Sequence, residues 1–130
     1  MTEAELIELL AGLPDTDVLT VDETSGAPEI AWGDTFATYT GAKQPFATIV
    51  VKDYGDFDDV SQLDREGVFR LNVNVGRDRL PKGDFDYTAF DVVMPHPVYA
   101  AQGFACVVNP GDRTARELIE LAHARAAARR

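Results

Sequence analysis

The sequence predicts an α+β fold, a mostly antiparallel sheet packed on one face by an N-terminal and a C-terminal helix. Three observations carry this expectation. Both ends of the chain place apolar side chains at helical spacing, and the middle holds several short β-branched and aromatic runs. Those runs are joined mostly by turns too short for a parallel crossover, which needs about a dozen residues or more. With 130 residues, 45% of them hydrophobic and 26% charged, the chain reads as a single domain around one core.

The first helix opens on a capping box, Thr2 standing three residues before Glu5, and continues through Leu6, Leu9, Leu10 and Leu13 on one face. Gly12 is expected to end it in a left-handed conformation, because Pro14 cannot continue a helix. VLTV at 18–21 reads as the first strand and DETSGAP as a loop. EIAW and TFATY read as extended pieces around Gly33 and Asp34, where the chain makes a tight hairpin or a bulge. PFATIVVK has the strongest β-branched and aromatic content and belongs near the sheet centre.

The acidic DYGDFDDVSQLD interrupts the apolar pattern and reads as a surface excursion, with Val60, Leu63 and Gly67 marking a short helix. VFRLNVNVG alternates strictly, so Phe69, Leu71, Val73 and Val75 face the core. Arg70, Asn72 and Asn74 then form a polar face expected to stand open to solvent. Pro81, Gly83, Pro95 and Pro97 break the next stretch into a structured loop, with a short helical piece at 86–92. GFACVV supplies the last strand and NPGD a turn. Thr114 with Glu117 makes a second capping box before a helix whose apolar stripe is Leu118, Leu121, Ala122 and Ala126.

Charge narrows the function classes. The net charge is −10, and the first 66 residues hold fifteen acidic but only three basic side chains. A polyanion would be repelled at long range, so nucleic acid and acidic membranes are poor partners. Arg113, Arg116, Arg125, Arg129 and Arg130 gather late and read as the charged face of a terminal helix. No apolar run reaches the roughly 20 residues of a membrane span, and the opening residues lack a basic leader, so a cytoplasmic location is expected. Cys106 is the one cysteine and reads as an inert core thiol.

Candidate site residues fall into two groups. His96, held between Pro95 and Pro97, is the best acid/base candidate, since imidazole titrates near pH ~6.5. Asp34 or Asp53 would orient it, and Lys52 or Arg70 would stabilise developing negative charge. The competing reading makes His96 a structural hydrogen bonder of a proline turn. The second group is a ligand-binding surface of Trp32, Lys52, Tyr54, Arg70, Asn72, Asn74 and Tyr99, suited to a polar or anionic molecule. There Trp32 shares strand parity with Asp34 unless it fills the core and Asp34 merely closes a turn. His96 and His123 occupy separate elements, and the aspartates at 53, 56, 58 and 59 lack calcium-loop spacing, so neither a metal nor a cofactor is expected. HExxH, GxSxG, Walker and GxGxxG motifs are all missing.

The segments EIAWGDTF, PFATIVVKDY, LDREGVFRLNVNVGR, DYTAFD and MPHPVYAAQGF with VVNPG resemble a bacterial family, domain of unknown function 6194, over nearly the whole chain. That resemblance implies no established activity. The order of elements and the terminal NPGDRTARELIELAHARA are similar, more distantly, to YjbR/MmcQ-like proteins, which implies a compact double-wing α+β fold and a DNA-binding role. The loop after VGR is short and Phe104 stands where the first family suggests Trp, so a pocket built there is expected to be smaller or missing.

The residues thus favour a binding or interaction module for a small polar or anionic molecule or a protein. The alternative is a small enzyme using His96 on a metabolite; the charge balance opposes nucleic-acid binding. An exposed strand edge would offer a homodimer contact.

Overall fold

The computed structural model describes residues 1–129. Helix α1 (Glu3–Ala11) is followed by β1 (Thr16–Thr20), a 3₁₀ turn (Glu29–Ala31), β2 (Thr35–Tyr39), β3 (Ala47–Val50) and β4 (Arg70–Asn74). Then come β5 (Met94–Pro95), β6 (Phe104–Val108) and helix α2 (Asp112–Ala128). The strands form one sheet in the order β1-β2-β3-β4-β6-β5, every neighbouring pair antiparallel. The class expected from the sequence is therefore the one observed, an α+β protein with an antiparallel sheet and two helices.

Pleating sorts the side chains onto two faces. Ala37, Ala47, Ile49, Leu71, Val73, Ala105 and Val107 meet Leu6 and Leu10 of α1 and Ala115, Leu118, Ile119 and Ala122 of α2 in one apolar core. Each fully buried leucine contributes about 1.5–3 kcal/mol by leaving water. The capping box forms, Glu5 N–H donating to Thr2 Oγ1 at 3.1 Å and Thr2 N–H to Glu5 Oε1 at 2.8 Å. Docking of α2 against the opening turn is fixed by His123, whose Nε2 meets Pro14 O at 2.8 Å while its ring lies 5.5 Å from Tyr39 and 5.6 Å from Phe46.

The opposite face departs from expectation. It is not an open polar surface: Arg70 is 1% exposed and Asn72 4%. Strand β4 is central, and non-helical segments fold over its polar side. The excursion after β3 turns back so that Asp58 and Ser61 bond Arg70, and Val50, Leu63, Val68, Met94, Cys106 and Val108 form a second apolar cluster there. A guanidinium on a central strand needs a carboxylate, and the loop supplies it.

Several local expectations also change. EIAW is not extended; it makes the 3₁₀ turn, and Trp32 Nε1–H donates to Ala27 O at 3.0 Å, so Trp32 and Asp34 share no strand. The first strand starts at Thr16 rather than at 18. Gly12 is right-handed (φ −81°), and the left-handed residue is Asp15 (φ 53°). Turns, not helices, occupy 60–67 and 86–92, the second held by Asp86 Oδ1 accepting Thr88 N–H at 3.0 Å. Helix α2 begins two residues before Thr114, with Gly111 as N-cap, and Asp91 Oδ1 accepts the Gly111 N–H at 2.9 Å. Arg130 of the late basic group lies outside the described residues. Among the described residues no helix is long and apolar enough to cross a membrane.

Candidate functional site

The site is built on the polar face of β4. Alternation puts Arg70, Asn72 and Asn74 in a row, and register sets Asn72 beside Thr48 of β3 and Cys106 of β6. Arg70 Nη1 donates to Asp58 Oδ1 at 3.0 Å and Nη2 to Oδ2 at 2.5 Å, a two-pronged ion pair. Nη1 also donates to Ser61 Oγ at 3.0 Å, and Nε to Asn72 Oδ1 at 2.9 Å. Asn72 Nδ2 donates in turn to Thr48 Oγ1 at 3.0 Å. The guanidinium charge is thus answered within the protein. What the floor presents is an ordered set of hydrogen-bonding groups rather than a free cation.

His96 stands beside this floor. The amides of Val98 and Tyr99 both donate to its Nδ1, at 3.0 and 2.9 Å, so a neutral ring carries its proton on Nε2. Nε2 lies 3.2 Å from Arg70 Nη2 and 3.9 Å from Asp58 Oδ2. Burial first, then the neighbouring guanidinium, pull the imidazole down from 6.5 to about 4, against the opposing pull of Asp58. At neutral pH the ring is an uncharged donor. Its ring is tilted by 38° to that of Tyr99, with centroids 5.0 Å apart.

A groove of about 1080 Å³ opens over these groups. Thr48, Arg70, Asn72 and His96 form the polar floor at one end, and Phe36, Tyr54, Phe57, Tyr99 and Phe104 supply aromatic walls. Phe57 and Tyr99 stand at the mouth with rings 6.2 Å apart, 62% and 44% exposed. Asp34 is fully buried behind Tyr54, whose hydroxyl donates to its carboxylate, while Val51 N–H donates to Oδ1 at 3.2 Å. Burial raises Asp34 above the ordinary aspartate range, and burial together with that carboxylate raises the Tyr54 phenol.

The residues named from the sequence separate accordingly. Tyr54, Arg70, Asn72, Asn74, His96 and Tyr99 line the groove together. Asp34 reaches it only through the Tyr54 hydroxyl. Trp32 packs on its own loop, Lys52 Nζ donates to Glu29 O at 3.0 Å, and Asp53 Oδ1 accepts Leu63 N–H at 2.8 Å, so these three brace the surrounding chain. The carboxylate nearest His96 is Asp58, which sequence reasoning placed only in a solvated acidic run. Phe57, Thr48 and Gln102 were also missed as site residues. One signal for Asp58 was available: an arginine in an alternating apolar strand demands a buried counter-ion, and the acidic run is the nearest supply. Among the described residues no group of three or more His, Cys, Asp or Glu side chains is arranged to hold a metal ion.

An antiparallel sheet, two helices on one face and a roofed aromatic groove on the other define the class of protein. The chain belongs to the family of unknown function DUF6194, whose model matches residues 1–130. No curated protein and no solved structure matches it.

Proposed function

We propose that the protein is a non-catalytic binding module that holds a small molecule in this groove, its flat or unsaturated body against Phe57 and Tyr99 and its polar groups over Thr48, Asn72 and His96. The observation that carries the reading is the exposed aromatic pair over a prearranged polar floor. Large aromatic surface left in water costs free energy that a bound partner recovers, and a fixed floor spares the ordering cost of binding. The alternative, a small enzyme with His96 as general acid or base, has in its favour that His96 lines the groove. Against it, Nδ1 is occupied by two amides and the protonated form is suppressed, so the ring is a poor proton carrier near neutrality. The distant double-wing likeness adds DNA binding as another reading, opposed by the net charge of −10.

A thermal-shift screen of metabolites tests the proposal, because a ligand at about 100 times its Kd stabilises the native state by roughly 2.7 kcal/mol. Hits are expected to disappear in Phe57→Ala and Tyr99→Ala while the unliganded proteins melt within about 2 °C of wild type. Hits that survive both substitutions, or turnover of a hit that His96→Gln abolishes, would reject it.

A further inference from the structure

The far end of the groove has a different electrostatic character. It runs past the last turns of α2, where Lys43, Arg125 and Arg129 line it. Among the described residues the one carboxylate in the lining, Asp58, is committed to Arg70. Among the described residues none of these three cations is in an ion pair. Arg125 in the last turn of α2 and Arg129 at its C-cap also answer the negative end of the helix dipole, in a protein whose net charge is −10. Unpaired cations at one rim of an acidic molecule concentrate a local positive field there.

Arg125 is also held in place. Gly76 (φ 88°) turns the chain just after β4, its N–H donating to Asn74 Oδ1 at 3.2 Å, and a Cβ on it would stand 2.9 Å from Arg125 Nε. The half-buried arginine therefore lies across bare backbone at the groove's end. Arg77 and Arg79 line an adjoining depression with it, where Asp78 is the one carboxylate among the described residues.

We propose that this rim is an anion subsite and that the groove's ligand is a phosphomonoester on a planar body. A phosphate carries about −1.5 to −2 charges at pH 7, and guanidinium forks match its oxygens, so Lys43, Arg125 and Arg129 together neutralise it. The placement of the body rests on the reading given under Proposed function; the anion subsite stands on the rim alone.

Amide-resolved NMR titrations of the ¹⁵N-labelled full chain with adenosine 5′-monophosphate, adenosine and inorganic phosphate separate the two. The monophosphate is expected to move both the Gly76 and the Tyr99 amides, inorganic phosphate the Gly76 region only, and adenosine the Tyr99 region only. Arg125→Ala and the more exposed Arg129→Ala should each weaken the monophosphate about tenfold and leave adenosine unchanged. Salt at about 1 M should abolish the difference between monophosphate and adenosine. If Gly76 stays still with both phosphates while adenosine moves Tyr99, the anion subsite is wrong and the groove reading survives. If phosphate moves Gly76 but adenosine and the monophosphate leave Tyr99 still, the subsite stands and the groove reading falls. Tight, salt-sensitive retardation of a labelled DNA duplex would overturn the small-molecule assignment.

Discussion

Arg70 and Asp58, twelve residues apart, meet in a two-pronged ion pair beneath the loop that roofs the sheet, with the arginine 1% exposed and the aspartate side chain 9% exposed. Removing one partner leaves the other charge buried and alone. Asp58→Ala and Arg70→Ala are each expected to lower unfolding free energy by about 3–5 kcal/mol in urea titrations. Amide exchange at Leu63 should accelerate, since that amide is held under the same roof. Losses below about 1 kcal/mol would mean that the pair does not anchor the loop.

His96 makes stability depend on pH. Its folded value, about 4, lies below the ordinary 6.5, so between those limits the unfolded chain binds a proton that the native ring refuses. The stability it contributes is present above 6.5 and is lost as pH falls toward 4, on the order of 3 kcal/mol in all. Urea midpoints measured across that window should fall with pH in wild type, and the slope should flatten in His96→Gln. An equal slope in both proteins would refute the assignment.

Tyr54 donates to a buried Asp34 carboxylate whose carboxyl is already raised by burial. Tyr54→Phe removes a bond that opposes this rise, so Asp34 should titrate higher still, as followed by carboxyl ¹³C shifts. A raised acid costs stability as pH climbs through its folded value. The variant's deficit should therefore be smallest in acid and reach about 1–3 kcal/mol at neutral pH.

Cys106 is fully buried in β6, its Sγ 3.8 Å from Pro95 O, and burial pushes the thiol up to about 12. A thiol-modifying disulfide reagent at pH 8 is expected to leave it unreacted in the native protein and to label it fully in urea. Rapid labelling of the folded chain would show that β6 opens locally.

Gly103 ends the turn before β6 at φ 98°, and a Cβ there would come within 2.7 Å of Asn74 Oδ1 and 3.0 Å of Gly76 Cα. Gly103→Ala should cost about 2 kcal/mol or more in a melting experiment, because strain and collision add.

Periodic features were legible in the sequence. The 69–75 alternation specifies β4, and the leucine spacing together with the Thr2 and Glu5 box specifies α1. Strand β5 was hidden because two residues, one a proline, carry no period, and such a strand survives only at an edge. Trp32 was misread because Pro28 and the following residues make a 3₁₀ turn through local hydrogen bonding that composition does not announce. The site divides the same way. Strand parity brings Arg70, Asn72 and Asn74 together, whereas Asp58 and Phe57 arrive on a loop whose path is set by the ion pair itself. Arg70 in an apolar strand signals the need for a counter-ion, but no local pattern says which aspartate supplies it or that Phe57 comes with it, so the groove's roof was far less legible than its floor.

Because α2 supplies Ala115, Leu118, Ile119 and Ala122 to the core, a nascent chain that has released only β1 to β6 carries a greasy sheet with half its cover still inside the ribosome. The apolar side is fully covered only once α2 docks. Until it does, the uncovered apolar side of the sheet is open to contact with other chains, the kind of surface through which incompletely folded proteins aggregate.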